Sequence, residues 1–214
     1  MDKNVSMERR TDVMRKVLAV LLCLLLVSGL AFAEDAISSA TLKIETLPTV
    51  EAQDNGILVV YFSPDDTVRA AAYTIAATLN AELFEIVPEE LYTADDLNYY
   101  NSSARSMVEM KDSNARPAIA ALPEDLGKYD TVFLGYPIWG GQAPRIISTF
   151  LENTDLSGKT IVPFCTSNSS GLGSSDKKLY SLTGDSVNWL PGKGIKKGST
   201  AENISAWVKE LEIK

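Results

Sequence analysis

Short apolar runs, separated by segments with helical spacing, constrain this chain more than any other feature. "ILVVYF" (57–62), "ELFEIV" (82–87), "TVFLGY" (131–136) and "TIVPFCT" (160–166) are too short for helices and rich in β-branched and aromatic residues. Runs without polar interruption suit strands covered on both faces. "VNWL" (187–190) is a fifth, weaker candidate. Between them, Val68, Ala71, Ala72, Ile75 and Leu79 fall on one helical face that ends near Asn80. "PRIISTFLENT" (144–154) puts Pro144 at a helix start and lines Ile146, Ile147, Phe150 and Leu151 along one side. "STAENISAWVKELEIK" opens on Ser199-x-x-Glu202, a capping-box spacing, and continues with Ile204, Trp207, Val208 and Leu211 on one face. The 87–130 connection is long for one crossover and predicts an added helix with a surface excursion. Strands alternating with helices predict an α/β fold, a doubly wound five-stranded parallel sheet with helices on both faces.

The N-terminal part reads differently. Residues 17–33, "VLAVLLCLLLVSGLAFA", carry no charge, follow Arg15 and Lys16, and end in Ala31-Phe32-Ala33. That is the layout of a cleaved signal peptide, and 17 residues sit at the short limit for spanning a bilayer. Met14 offers an alternative start, which would drop the Arg9-Arg10 pair and any twin-arginine reading of it. Leu22 before Cys23, in mid-run, argues against lipid attachment there. The expected organisation is a leader at 1–33, a polar tether at 34–54 and one domain at 55–214. The mature protein would be exported, with no stable membrane span.

Composition excludes several chemistries. The chain holds 28 Asp and Glu against 20 Lys and Arg; losing the leader takes the net charge from −8 to −10. Such a surface repels nucleic acid. No histidine is present, so Ser-His-Asp and Cys-His catalysis and His-ligated zinc are ruled out. Cys165 alone would remain in the mature chain, leaving no internal disulfide and no Cys-x-x-Cys pair. It ends an apolar run and reads as a small core residue. Any redox chemistry then needs a bound cofactor.

Ligands of doubly wound sheets bind beyond the carboxyl ends of the strands. Three loops leave those ends: 63–67, 137–144 and 167–176. Their motifs are "VVYFS…TVRAA", "FLGYPIWGGQAPR" followed by "IISTFLE", and "GKTIVPFCTSNSSGLGSS", with "EMKDSNARPAI" in the long connection. Together they resemble the flavodoxin-like family, in an exported bacterial branch, from about Ile57 to the C-terminus. The resemblance implies FMN as cofactor and a role in electron transfer or reduction of a small acceptor, with a redox partner protein. It implies that Ser63 and the amides around Thr67 meet the phosphate. Pro137, Ile138 and Trp139 would flank the ring, with Gly141 allowing close approach, and Thr166, Ser167 and Gly171 would line its other edge. No catalytic side chain and no metal are implied.

The first loop departs from the family pattern. Asp65 and Val68 stand where hydroxyls are usual and Asp66 where a glycine is usual. Two carboxylates oppose a phosphate dianion unless they turn away, and either suits the N-cap of the helix starting at Thr67. Gly140 replaces a common aromatic and Asn168 a common glycine. Arg69 would offset part of the acidity. Arg105 and Arg116 are expected to fold the long connection over the pocket and pair with Asp65 or Asp66. The alternative reading is a flavin-free protein of the same fold that binds an uncharged or cationic small molecule in this cleft. Glu89-Glu90 and Asp95-Asp96 lie off the three loops and read as solvated charges.

Overall fold

The computed structural model describes residues 55–167, 171–196, 198–211 and 213. The leader, the tether and Asn168 lie outside these residues. Six strands form one parallel sheet: β1 (Ile57–Tyr61), β2 (Glu82–Glu85), β3 (Thr131–Pro137), β4 (Thr160–Ser167), β5 (Asn188–Trp189) and β6 (Lys193–Lys196). The order is β2-β1-β3-β4-β5, with β6 also pairing β4. The helices are α1 (Thr67–Leu79), α2 (Arg105–Lys111), α3 (Arg145–Glu152) and α4 (Ala201–Glu210).

Alternation along the central strands sends side chains to two separate cores. Val132, Leu134, Tyr136, Ile161 and Cys165 face α3, whose Ile146, Ile147 and Phe150 are fully buried. Each such side chain contributes about 1.5–3 kcal/mol by leaving water. Val59, Phe133, Val162 and Phe164 face α1 and α4, meeting Ile75 and Trp207. Thr78 and Ser205 join those two helices through a 2.8 Å hydroxyl contact. The sheet is therefore covered on both faces, as its apolar runs require.

The five expected strands are present, and one more, β6, lies on the same edge of β4 as β5. Leu190 N–H donates to Ile161 O at 2.9 Å, so the backbone of Pro163, two residues on, faces that same edge without an N–H. The edge breaks there, at Pro191-Gly192, and a Cβ on Gly192 would lie 2.3 Å from Pro163 O. The capping box of α4 is Thr200 with Asn203, not Ser199 with Glu202. Ser199 N–H is held by Lys196 O at 3.0 Å in the turn leaving β6, which moves the helix start one residue on. The extra helix expected in the long connection is α2.

Gly135 makes the central packing possible. It pairs with Phe164 across β3 and β4, and a Cβ there would lie 2.2 Å from the Phe164 ring. Gly135→Ala should cost about 1–3 kcal/mol, read as a lower urea midpoint, since overpacking forces ring and strand apart. An unchanged midpoint would refute this packing.

Candidate functional site

The exit loops of β1, β3 and β4 meet through hydrogen bonds. Phe62 N–H donates to Gly135 O at 2.9 Å and Ile138 N–H to Thr166 O at 3.0 Å, so the ladders run past the strand ends. Thr67 Oγ1 lies 3.1 Å from Thr166 Oγ1, which ties the first loop to the third. Pro137 is buried and paired with Thr166; Ile138, Thr166, Ser167 and Gly171 are half-buried and Thr67 is exposed. Ser167 Oγ accepts from Gly171 N–H at 2.7 Å and so folds the third loop back on its strand. The structure thus brings these sequence-predicted positions together.

The turn carrying Trp139 is tight. Trp139 and Gln142 exchange backbone hydrogen bonds of 2.9 and 3.0 Å, and both central residues have positive φ, Gly140 at 55° and Gly141 at 79°. That is a type I′ turn, which glycines enter without steric cost. Nothing lies within 4 Å of a Cβ built on Gly141. Its glycine therefore answers to backbone geometry rather than to crowding. Trp139 packs edge-on against Phe62 (5.8 Å between centroids) and Tyr92 (5.5 Å), and those two rings pack on each other at 5.9 Å. Three edge-to-face contacts fix the indole's orientation. Burial, then the hydrogen bond to Glu109, pushes the Tyr92 phenol well above its usual range. Arg105 lies 4.3 Å over the Tyr92 ring and bonds Glu109 at 2.8 Å.

In the first loop the two acids have separate tasks. Asp65 Oδ1 accepts from Thr67 Oγ1 at 2.8 Å and from Thr67 N–H at 3.3 Å. Buried Ser63 Oγ accepts from Arg69 N–H at 3.0 Å, so two amides of the first turn of α1 are satisfied from within the loop. Asp66 is the N-cap residue, at φ 63°, but its side chain makes no cap bond; it pairs with Arg69. Arg69 also holds Glu85 at 2.6 Å, and that contact chiefly raises its pKa. The expected pairing of Arg105 and Arg116 with these acids does not occur. Arg105 bonds Glu109 and lies near Glu90, and Arg116 holds Glu152 at 2.6 Å, because both acids are closer along the fold.

A cleft of about 220 Å³ opens beside this loop, lined by Phe62, Ser63, Pro64, Glu85, Leu91 and Tyr92 among others. Among the described residues, its lining includes none of 137–142, 166, 167 or 171. It sits where β2 ends, beside β1. Glu85 and Tyr92 thus line a cleft that the three-loop reading missed, although the rule about strand carboxyl ends applies equally to β2.

Cys165 carries no chemistry here. Burial, with the Asp176 charge adding, pushes its thiol up to about 12. Asp176 Oδ2 accepts from Tyr180 at 2.8 Å, while its buried Oδ1 has no partner among the described residues. Also among the described residues, no group of three or more His, Cys, Asp and Glu could hold a metal ion, and no helix is long and apolar enough to cross a membrane.

Fold and site together define a doubly wound α/β protein with a cleft at the strand exits. The flavodoxin family model matches residues 56–211, and the chain belongs to that family. A candidate flavoprotein from Bacteroides eggerthii is 43% identical, covering 74% of this chain and 98% of that one, with a TM-score of 0.67. A similar candidate from Bacteroides uniformis is 40% identical over 72% and 97%, with a TM-score of 0.68. A Lactobacillus acidophilus flavoprotein in complex with FMN is 22% identical over 64% and 90%, with a TM-score of 0.53, a likeness of fold. No curated protein matches.

The residues fit the two ends of FMN unequally. The turn at Trp139 offers an apolar wall suited to a flat ring. The first loop does not suit a phosphate dianion: the Thr67 hydroxyl and the amides of Thr67 and Arg69 are used internally, and the loop carries two acids. A carboxylate about 5 Å from one phosphate charge costs about 3 kcal/mol at an effective dielectric near 20, less where water screens it.

With Cys23 replaced by serine, Cys165 should stay unmodified by a thiol reagent at pH 8 in the native protein and react on unfolding. A pKa of about 12 leaves only about one thiolate in ten thousand there. Rapid native labelling would refute its burial.

Proposed function

We propose that this chain binds a flavin at the strand exits and carries electrons to or from a small acceptor. The observation that carries the reading is the meeting of three loops at Thr166, in a chain of the flavodoxin family. Pro137, Ile138, Trp139 and Gly141 would border one side of the ring, and Thr166, Ser167 and Gly171 the other. Ser63 and Thr67 lie toward the far end of the ligand, where FMN, the family's cofactor, carries its phosphate. A bound flavin supplies the electron-carrying capacity that the side chains lack. The protein's share is orientation and exclusion of water: the triad of Phe62, Tyr92 and Trp139 holds the wall rigid. The uncharged run at 17–33 supports export of the domain, where a redox partner would meet it.

A second reading, a flavin-free binding protein, is favoured by the cleft beside Phe62 and Tyr92, whose charged groups are Asp66, Arg69 and Glu85. One titration decides between them. Adding riboflavin and FMN in turn to the purified protein should shift the flavin absorption bands and quench flavin fluorescence with at least one of the two. Trp139→Ala should weaken that binding about tenfold, the scale of one lost aromatic contact. If neither flavin responds at high micromolar concentration, the flavin-free reading stands.

A further inference from the structure

We infer that the site selects an unphosphorylated flavin, riboflavin in chemistry, over FMN, because Asp65 already engages the Thr67 hydroxyl and amide at the start of α1. The inference rests on the flavin reading above and adds the form of the ligand.

The argument begins with protons. Thr67 Oγ1 donates to Asp65 Oδ1 in their 2.8 Å bond. A hydroxyl has one proton, so in the 3.1 Å contact between Thr67 and Thr166 it is Thr166 that donates. Both threonine protons are therefore spent inside the protein. The amide of Thr67 also points to Asp65, and the amide of Arg69 to Ser63 Oγ. A phosphate at this helix end relies on such donors. Here the carboxylate of Asp65 has taken the hydroxyl and amide of Thr67, and Ser63 Oγ has taken the amide of Arg69.

The charges agree. Arg69 is the cation of the loop, and its guanidinium is shared between Asp66 and Glu85. With Asp65 the group sums to two negative charges, which a dianion would have to join. A ribityl tail without phosphate ends instead in a hydroxyl. Asp65 makes its hydrogen bonds through Oδ1, which leaves Oδ2 to accept from such a donor. The same residue that repels phosphate thus recognises the alcohol.

Fluorescence titration of the unaltered protein with riboflavin and with FMN tests this. Riboflavin should bind at least about tenfold more tightly. Raising ionic strength from about 0.01 to 0.15 M, which shortens the screening length from about 30 to 8 Å, should tighten FMN and leave riboflavin unchanged. Asp65→Asn keeps the shape and removes the charge, and should narrow the gap. Asp65→Thr with Asp66→Gly should reverse the preference; glycine enters the φ of 63° at position 66 freely. Binding of FMN as tight as riboflavin overturns the inference and leaves the flavin reading in place. A gap that ignores both salt and Asp65→Asn overturns it too. Binding of neither flavin removes the flavin reading and this inference with it.

Discussion

Every residue of β3 is buried, and its backbone is paired to β1 on one side and β4 on the other. The level at which three loops leave the sheet follows from that double pairing. Because Tyr61 lies opposite Gly135 and Pro137 opposite Thr166, β1 ends two residues short of β3, and β4 ends one residue beyond it. The hydroxyl contact between Thr67 and Thr166 forms across that stagger. Gly135, which admits the Phe164 ring, keeps β3 and β4 in this register.

The long connection between β2 and β3 supports the site from its other side. Tyr92 reaches Trp139 and Phe62 from beyond β2, and Arg105 in α2 lies on its ring while Glu109 takes its hydroxyl. Arg145, at the start of α3, hydrogen-bonds the backbone carbonyl of Met110 at 3.1 Å. One aromatic wall is thus held by two helices and two loops. The segment does fold toward the pocket, but by bracing an aromatic ring instead of neutralising acids.

Much of the fold was legible because its strands are covered on both faces: runs such as "ILVVYF" and "TVFLGY" admit little else. The second half of the edge strand was not. "KGIK" at 193–196 has one buried apolar residue, Ile195, so its pattern is silent without its partner β4. "STAEN" contains two overlapping capping boxes, and the turn closed by Ser199 and Lys196 decides between them. At the site, loop positions followed from topology, while side-chain partners did not. Which acid bonds the helix amides and which pairs with Arg69 depends on the left-handed backbone at Asp66, a geometry that residue identity alone leaves open.

The break in the outer strand has a meaning beyond register. An uninterrupted border strand exposes a row of unpaired N–H and C=O groups onto which another chain can add. Here the border is cut into pieces of two and four residues, with Pro191 and Gly192 between them and Lys193 and Lys196 exposed on the second. A proline inside the sheet thereby shortens the template that this border offers to another chain.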